Sequence, residues 1–348
     1  MMKKIDYLIV GQGLAGSLLA YFLIKKGKTV FVVDEVNTAS ASRIAAGIFN
    51  PITGRRFVKT WMADEIFPFA ESTYRELELF IGKNVFHKMN VIRKFGGQAE
   101  YREWELKCTL ASYAAYLEDN RAKTNIQGDE FGFVEIKNSG WLDVQTFSEG
   151  FRSRLIEEKI LLEKELDSLD LVFLDGSVLW KDFTFSKVIF CEGYKVLENP
   201  FFRQLPFTHA KGEILTIRAK KLKLDKILSK GIFILPIGNH FYKVGSTYDW
   251  NVLDEKPTEQ GKNEIADKLE KIIGNKFEII AHRAGVRPTV RDRRPILGFH
   301  PVFSNVGIFN GLGTKGVSLA PFFANHFVEF LAEGKPLLPE VDIKRFMK

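Results

Sequence analysis

A chain of 348 residues, 45 % hydrophobic and 27 % charged, is long enough for two domains; its composition is ordinary for a soluble globular protein, and no apolar stretch is long enough to span a bilayer. Its two cysteines, Cys108 and Cys191, lie far apart, which excludes a disulfide framework or cysteine metal cluster and points to a reducing cytoplasm; Lys3-Lys4 run straight into a strand, so no cleaved signal peptide is expected. The net charge of +7 admits nucleic acid, anionic lipid or acidic substrates, but the basic residues are scattered apart from Lys220-Lys221-Leu222-Lys223 and Arg291, Arg293 and Arg294, so a solvated basic surface is expected, with nucleic acid not favoured and no membrane partner.

The first element is an apolar run, Tyr7 to Val10, of the kind buried in a parallel sheet. It ends in Gly11-Gln12-Gly13-Leu14-Ala15-Gly16. Gly11 permits the tight turn, Gly13 lets the backbone approach a pyrophosphate, and Gly16 lets the next helix lie close to the strand. That helix carries Leu14, Leu18, Leu19, Phe22 and Leu23 on one face, has Lys25 and Lys26 in its last turn and stops at Gly27. A second apolar strand then ends at Asp34, spaced to hold a ribose hydroxyl and to repel a ribose phosphate. The same pattern also allows an ordinary βαβ unit whose glycines serve packing alone.

Residues 36–60 include Ser40-Ala41-Ser42-Arg43-Ile44-Ala45-Ala46-Gly47 and suit backbone laid along a ligand, or else a surface loop. A helix is expected over 61–82, strands over 85–95 and 131–137, and a helix capped by Asp143 and running through Leu155. Short strands follow at 171–174 and 178–180, then a buried strand Val188–Cys191 ending at Gly193. Antiparallel strands are expected at 213–218, 232–236 and 241–246, turning at Gly231 and Gly238-Asn239, then a polar helix over 259–273 and a strand at 277–281. A strand Val306–Asn310 leads through Gly311-Leu312-Gly313-Thr314-Lys315-Gly316 into an apolar helix, Val317 to Leu331. Nucleotide-binding elements at both ends with a different sheet between them give an α/β fold with a second, α+β domain inserted into a Rossmann-like one: residues 1–60, 138–200 and 296–348 form the first, 61–137 and 201–295 the second. The six histidines show no ligand spacing, so no metal is expected.

Together with Ala45-Ala46-Gly47, Gly140-Trp141-Leu142-Asp143, Gly212-Glu213 and Gly285-Val286-Arg287-Pro288 through Pro301, the terminal motifs resemble the D-amino-acid-oxidase-like family of FAD-dependent oxidoreductases, in its glycine and sarcosine oxidase branch. The resemblance implies FAD, held at Gly11, Gly13, Leu14, Ala15, Gly16, Asp34, Arg43, Ala45, Ala46, Gly47, Gly193, Gly311, Gly313, Thr314, Lys315 and Gly316. It is expected to be non-covalent, because no cysteine lies near the last helix. The N-terminus of that helix and Lys315 suit the negative charge of a reduced flavin, although Lys315 also reads as a plain surface lysine. By the resemblance, Arg287 holds a substrate carboxylate, unless it pairs with Asp292, and Lys243 stands over the flavin to promote reaction with oxygen, unless its strand face looks to solvent. Tyr248 lines the same cavity or is a rim aromatic. Thr314 stands where glycine-oxidase-like members carry an arginine, which departs from glycine as substrate.

The implied activity is hydride transfer from a small amine, an amino acid or N-alkyl amino acid, to the flavin, with reoxidation by oxygen or another acceptor. The segment 310–321 and Gly245-Ser246-Thr247-Tyr248 also resemble the FAD oxidoreductase domain of the tRNA methylaminomethyl-thiouridine biosynthesis enzyme, which implies RNA as an alternative substrate. A third reading is a non-catalytic flavoprotein subunit docking through the Phe-rich stretch 61–82.

Overall fold

The computed structural model describes residues 3–35, 40–121, 131–274 and 276–347. The opening strand Lys3–Val10 lies at the centre of an eight-stranded sheet, parallel on one side to Val30–Asp34 and on the other to Phe183–Phe190. Leu161–Glu163 extends the sheet beyond Val30–Asp34. Phe183–Phe190 changes partner along its length: Phe183–Phe185 pair antiparallel with Val178–Trp180, and Val188–Phe190 pair parallel with Val306–Ile308. The N-terminal and C-terminal motifs are thereby brought to the same end of one sheet, where the carboxyl ends of its parallel strands make a crevice.

Helix Leu14–Lys25 is buried on every side from Leu14 to Phe22 and Leu23, a fuller burial than the one-faced helix its sequence suggests. It lies between the sheet, the helix Gly316–Glu333 and the helix Ala63–Ile81, through ring contacts of Tyr21 with Phe80 and of Phe22 with Phe69. Ala63–Ile81 also packs on Gly316–Glu333, where the Tyr74 hydroxyl donates to Val317 O at 2.7 Å.

The second sheet also has eight strands, ordered Glu278–Arg287, Ala210–Arg218, Phe241–Gly245, Phe233–Gly238, Ile227–Ser229, Val91–Lys94, Phe133–Ile136 and Leu117–Arg121. It is antiparallel except where Ile227–Ser229 runs parallel to Val91–Lys94. Residues directly opposite across strands share a face. Leu215, Ile217, Tyr242, Val244 and Ile234 meet Ile265 and Leu269 of the helix Glu259–Ile273 on one face. The register puts Gly212, Ile214, Phe233, Gly285 and Arg287 on the other face, toward the first sheet. No helix among the described residues is long and apolar enough to cross a membrane.

Candidate active site

A cavity of about 1010 Å³ runs between the two sheets, from the Gly11–Ala15 turn to the Gly313–Val317 turn. Of the residues expected to hold a cofactor or substrate, Gly11, Gly13, Leu14, Ala15, Asp34, Arg43, Ala45, Ala46, Gly47, Gly193, Gly313, Thr314, Lys315, Gly316, Arg287 and Tyr248 line it. Gly16, Gly311 and Lys243 do not. Gly16 works in packing, since a Cβ there would sit 1.9 Å from Gly11 O. Gly311, at φ +78°, would drive a Cβ to 2.6 Å from Val290.

At the first end, Gly11 has φ +100° and lies so close to the neighbouring strand that a Cβ would come 2.6 Å from Cys191 O. Gly13 caps Leu14–Lys25 with no side chain of its own, so the first N–H groups of the helix face the cavity, with Leu14 N donating to Ser42 Oγ at 3.1 Å. The Asp34 carboxylate ends its strand as expected. One oxygen accepts from Gln12 N at 2.8 Å, and the other pairs with Arg152 at 2.6 Å. Sequence reasoning missed Arg152 and Gln12. The Arg152 contact spans 118 residues, and nothing in the pattern of its helix singles it out. Beside the cradle, burial pushes the Glu192 carboxyl up to about 7, against the pull of a 2.8 Å hydrogen bond from Asn199 Nδ2.

At the other end, Lys315 is not a surface lysine. Its ammonium donates to Thr60 Oγ1 at 2.9 Å, and burial lowers its pKa, with Arg294 and Arg293 adding to the effect. The Arg294 guanidinium lies 4.1 Å from the ring centre of Trp61, which stacks on Phe323. Arg287 ends the strand Glu278–Arg287 and crosses Gly212 of the neighbouring strand, where a Cβ would fall 1.9 Å from its Nη2. The guanidinium donates to Lys211 O at 3.2 Å, Ser246 Oγ at 2.8 Å and Thr247 O at 3.3 Å, and lies 4.3 Å from the centre of the Tyr248 ring. It does not pair with Asp292, whose carboxylate binds Arg345 at 2.9 Å. Burial lowers its pKa, and among the described residues no carboxylate forms an ion pair with it.

Lys243 shares the cavity-facing side of the second sheet with Ile214 and Gly245, but lies further along its strand, opposite Thr216 and Leu235. Burial lowers its pKa while Asp143 raises it, and among the described residues it forms no hydrogen bond or ion pair. No group of three or more His, Cys, Asp or Glu among the described residues is placed to hold a metal.

A family model described as FAD dependent oxidoreductase matches residues 6–330. Glycine oxidase of Bacillus subtilis is 23 % identical over 350 residues, covering 92 % of this chain and 91 % of its own length. The tRNA 5-methylaminomethyl-2-thiouridine biosynthesis bifunctional protein of Leptospira interrogans is 21 % identical over 403 residues, covering 97 % of this chain. The chain spans only 59 % of that relative's length. Among solved structures, glycine oxidase from Geobacillus kaustophilus superposes with a TM-score of 0.77 at 18 % identity over 96 % of both chains, and iminodiacetate oxidase from Chelativorans sp. BNC1 with 0.77 at 19 % over 98 % of both. With the match running through nearly the whole chain, from the opening strand to the last helix, this protein belongs to the family of FAD-dependent oxidoreductases of D-amino-acid-oxidase type.

Proposed function

We propose that the chain oxidises a small amine that carries a carboxylate, an amino acid or N-alkyl amino acid. The observation that carries this reading is Arg287: a half-buried guanidinium with no anionic partner among the described residues, facing a cavity continuous with the nucleotide cradle. Its planar fork suits both oxygens of a carboxylate, and burying it without a counter-ion is a cost that a bound anion offsets. The residues present fit FAD: glycine lets the backbone around the cradle pack where a Cβ would clash, at Gly11 with Cys191 O and at Gly47 with Leu142 O, and the cavity that these turns line extends to the second glycine turn. Gly11 to Ala15 would take the pyrophosphate and Asp34 the ribose; Ala45 to Gly47 and Gly313 to Gly316 would flank the ring, with Lys315 supplying positive charge at its far end. FAD, when bound, supplies the acceptor for the electron pair leaving the substrate.

The chain's own part is to orient and to exclude water. Arg287 fixes the carboxylate, Tyr248 covers the guanidinium, and Ile214 and Phe233 offer apolar floor. Lys243, a half-buried positive charge on the same face of the second sheet, is assigned to the reaction with oxygen. Arg287→Ala should weaken substrate binding at least about 30-fold while leaving FAD content intact. The test is anaerobic mixing of the FAD-loaded protein with amino acids and N-methyl amines, following loss of the flavin absorption band. Unchanged substrate affinity in the variant would overturn the assignment.

A second reading, oxidation of an amine side chain on a tRNA uridine, is favoured by one observation: the match to the tRNA-modifying relative covers nearly all of this chain, which is also basic. It predicts tRNA binding that falls steeply between 50 and 200 mM salt, on the order of the 10³-fold loss of a multi-phosphate contact. No binding at low salt removes it.

A further inference from the structure

Ser246 follows the strand Phe241–Gly245 and opens the segment that leads to the helix Glu259–Ile273. Charges buried in the second sheet hold this segment in place. Lys211, 1 % exposed, pairs with Asp254 at 2.6 Å and lies 4.0 Å from Glu213, and its backbone exchanges hydrogen bonds with that of Asp249 at 2.8 and 3.0 Å. Glu213 accepts from the backbone N–H and the hydroxyl of Thr258 at 3.0 and 2.8 Å, and its own N–H donates to Thr247 Oγ1 at 2.9 Å. Ser246 therefore sits between the end of a paired strand and a tethered Thr247.

Donors outnumber acceptors at this point. A guanidinium donates and never accepts. Arg287 Nη2 directs its hydrogens to Ser246 Oγ at 2.8 Å and Thr247 O at 3.3 Å, and Nη1 directs one to Lys211 O at 3.2 Å. Its Nε proton and the second Nη1 proton have no acceptor among the described residues. Ser246 Oγ must be the acceptor in its contact with Arg287, so the hydroxyl proton has to find another oxygen. Among the described residues it finds none. Ser246 and Arg287 both line the cavity, so the unused hydrogens of the two side chains lie next to one another at its wall. An oxygen anion arriving there meets both groups, and the 3.3 Å bond to Thr247 O is the weakest of the existing contacts and the first to yield.

We propose that the Ser246 hydroxyl is a second ligand of the substrate carboxylate: it donates to one carboxylate oxygen while its own oxygen accepts from Arg287 Nη2, and Arg287 donates to the other. The proposal rests on the reading of Arg287 as the carboxylate anchor. The seat is selective because every group in it donates. A carboxamide brings an NH2 group in place of one oxygen, which leaves a donor facing a donor.

The probe is acetate, with acetamide as its neutral counterpart of the same shape, titrated by calorimetry into the FAD-loaded protein. Acetate should bind at least about tenfold more tightly than acetamide. Ser246→Ala should weaken acetate about tenfold, the loss of one hydrogen bond to a charged group, and leave acetamide nearly unchanged. Ser246→Thr, which keeps the hydroxyl, should restore most of the affinity. FAD content and the flavin absorption spectrum should match the unaltered protein in both variants. Unchanged or tighter acetate binding by Ser246→Ala would overturn the proposal, because the hydroxyl then only restrains the guanidinium. Equal losses for acetate and acetamide would overturn it too, by reducing Ser246 to a part of the pocket's shape. Arg287→Ala separates this inference from the reading beneath it. If that variant loses acetate and Ser246→Ala does not, the hydroxyl's role falls and the anchor stands. If the unaltered protein has no preference for acetate, the carboxylate reading falls and takes the hydroxyl's role with it.

Discussion

Glu192 stands beside the nucleotide cradle in a place that disfavours its ionised form. Because burial raises its pKa to about 7, the folded chain holds this proton at pH values where the unfolded chain has released it. Between the ordinary carboxyl range and about pH 7 the folded state binds more protons than the unfolded one, so this group's contribution to stability falls as pH rises, and the loss is complete above pH 7. Glu192→Gln should therefore melt close to wild type at pH 5 and a few degrees above it at pH 8, as read by thermal denaturation at the two pH values. A difference that is the same at both would mean that Glu192 titrates normally in the folded protein.

At the scale of elements, the sequence is most readable where periodicity, glycine and charge agree. The opening strand, helix and strand and the strand Val306–Asn310 fall where the pattern puts them, because each has a run of apolar residues with a clear stop; the polar helix Glu259–Ile273 does so because Ile265 and Leu269 recur at helical spacing on its buried face and Gly274 ends it. The helix Gln98–Cys108 escaped because Trp104 is its one buried residue, so it shows no apolar face. Three-residue strands such as Ile227–Ser229 and Leu161–Glu163 are too short to display a period. Alternation along Phe241–Gly245 puts Phe241, Lys243 and Gly245 on one face but carries no information on which way that face looks or how far along the sheet the cavity extends. The glycine-rich turns of the candidate site were legible because only glycine tolerates such close backbone. Arg152 and the Lys211–Glu213 cluster were not, since long-range charge pairing leaves no local signature.

At the scale of the whole molecule, one long cavity is bounded by both large sheets, so a cofactor filling it would contact both. FAD at about a hundredfold excess over its dissociation constant should stabilise the fold by about 2.7 kcal/mol, raising the melting midpoint by several degrees. Protein that stays colourless with excess FAD and melts at an unchanged temperature would contradict this.

The strand Phe183–Phe190 gives that arrangement a consequence for biosynthesis. Its Val188–Phe190 half waits for Val306–Ile308, and the cradle at the amino terminus waits with it. At roughly 5–20 residues per second, a ribosome needs on the order of 15–60 s to make the intervening chain after the first strand emerges. Through that interval the nascent polypeptide displays an apolar strand edge with no neighbour, a feature that invites capture by chaperones or by other unfinished chains.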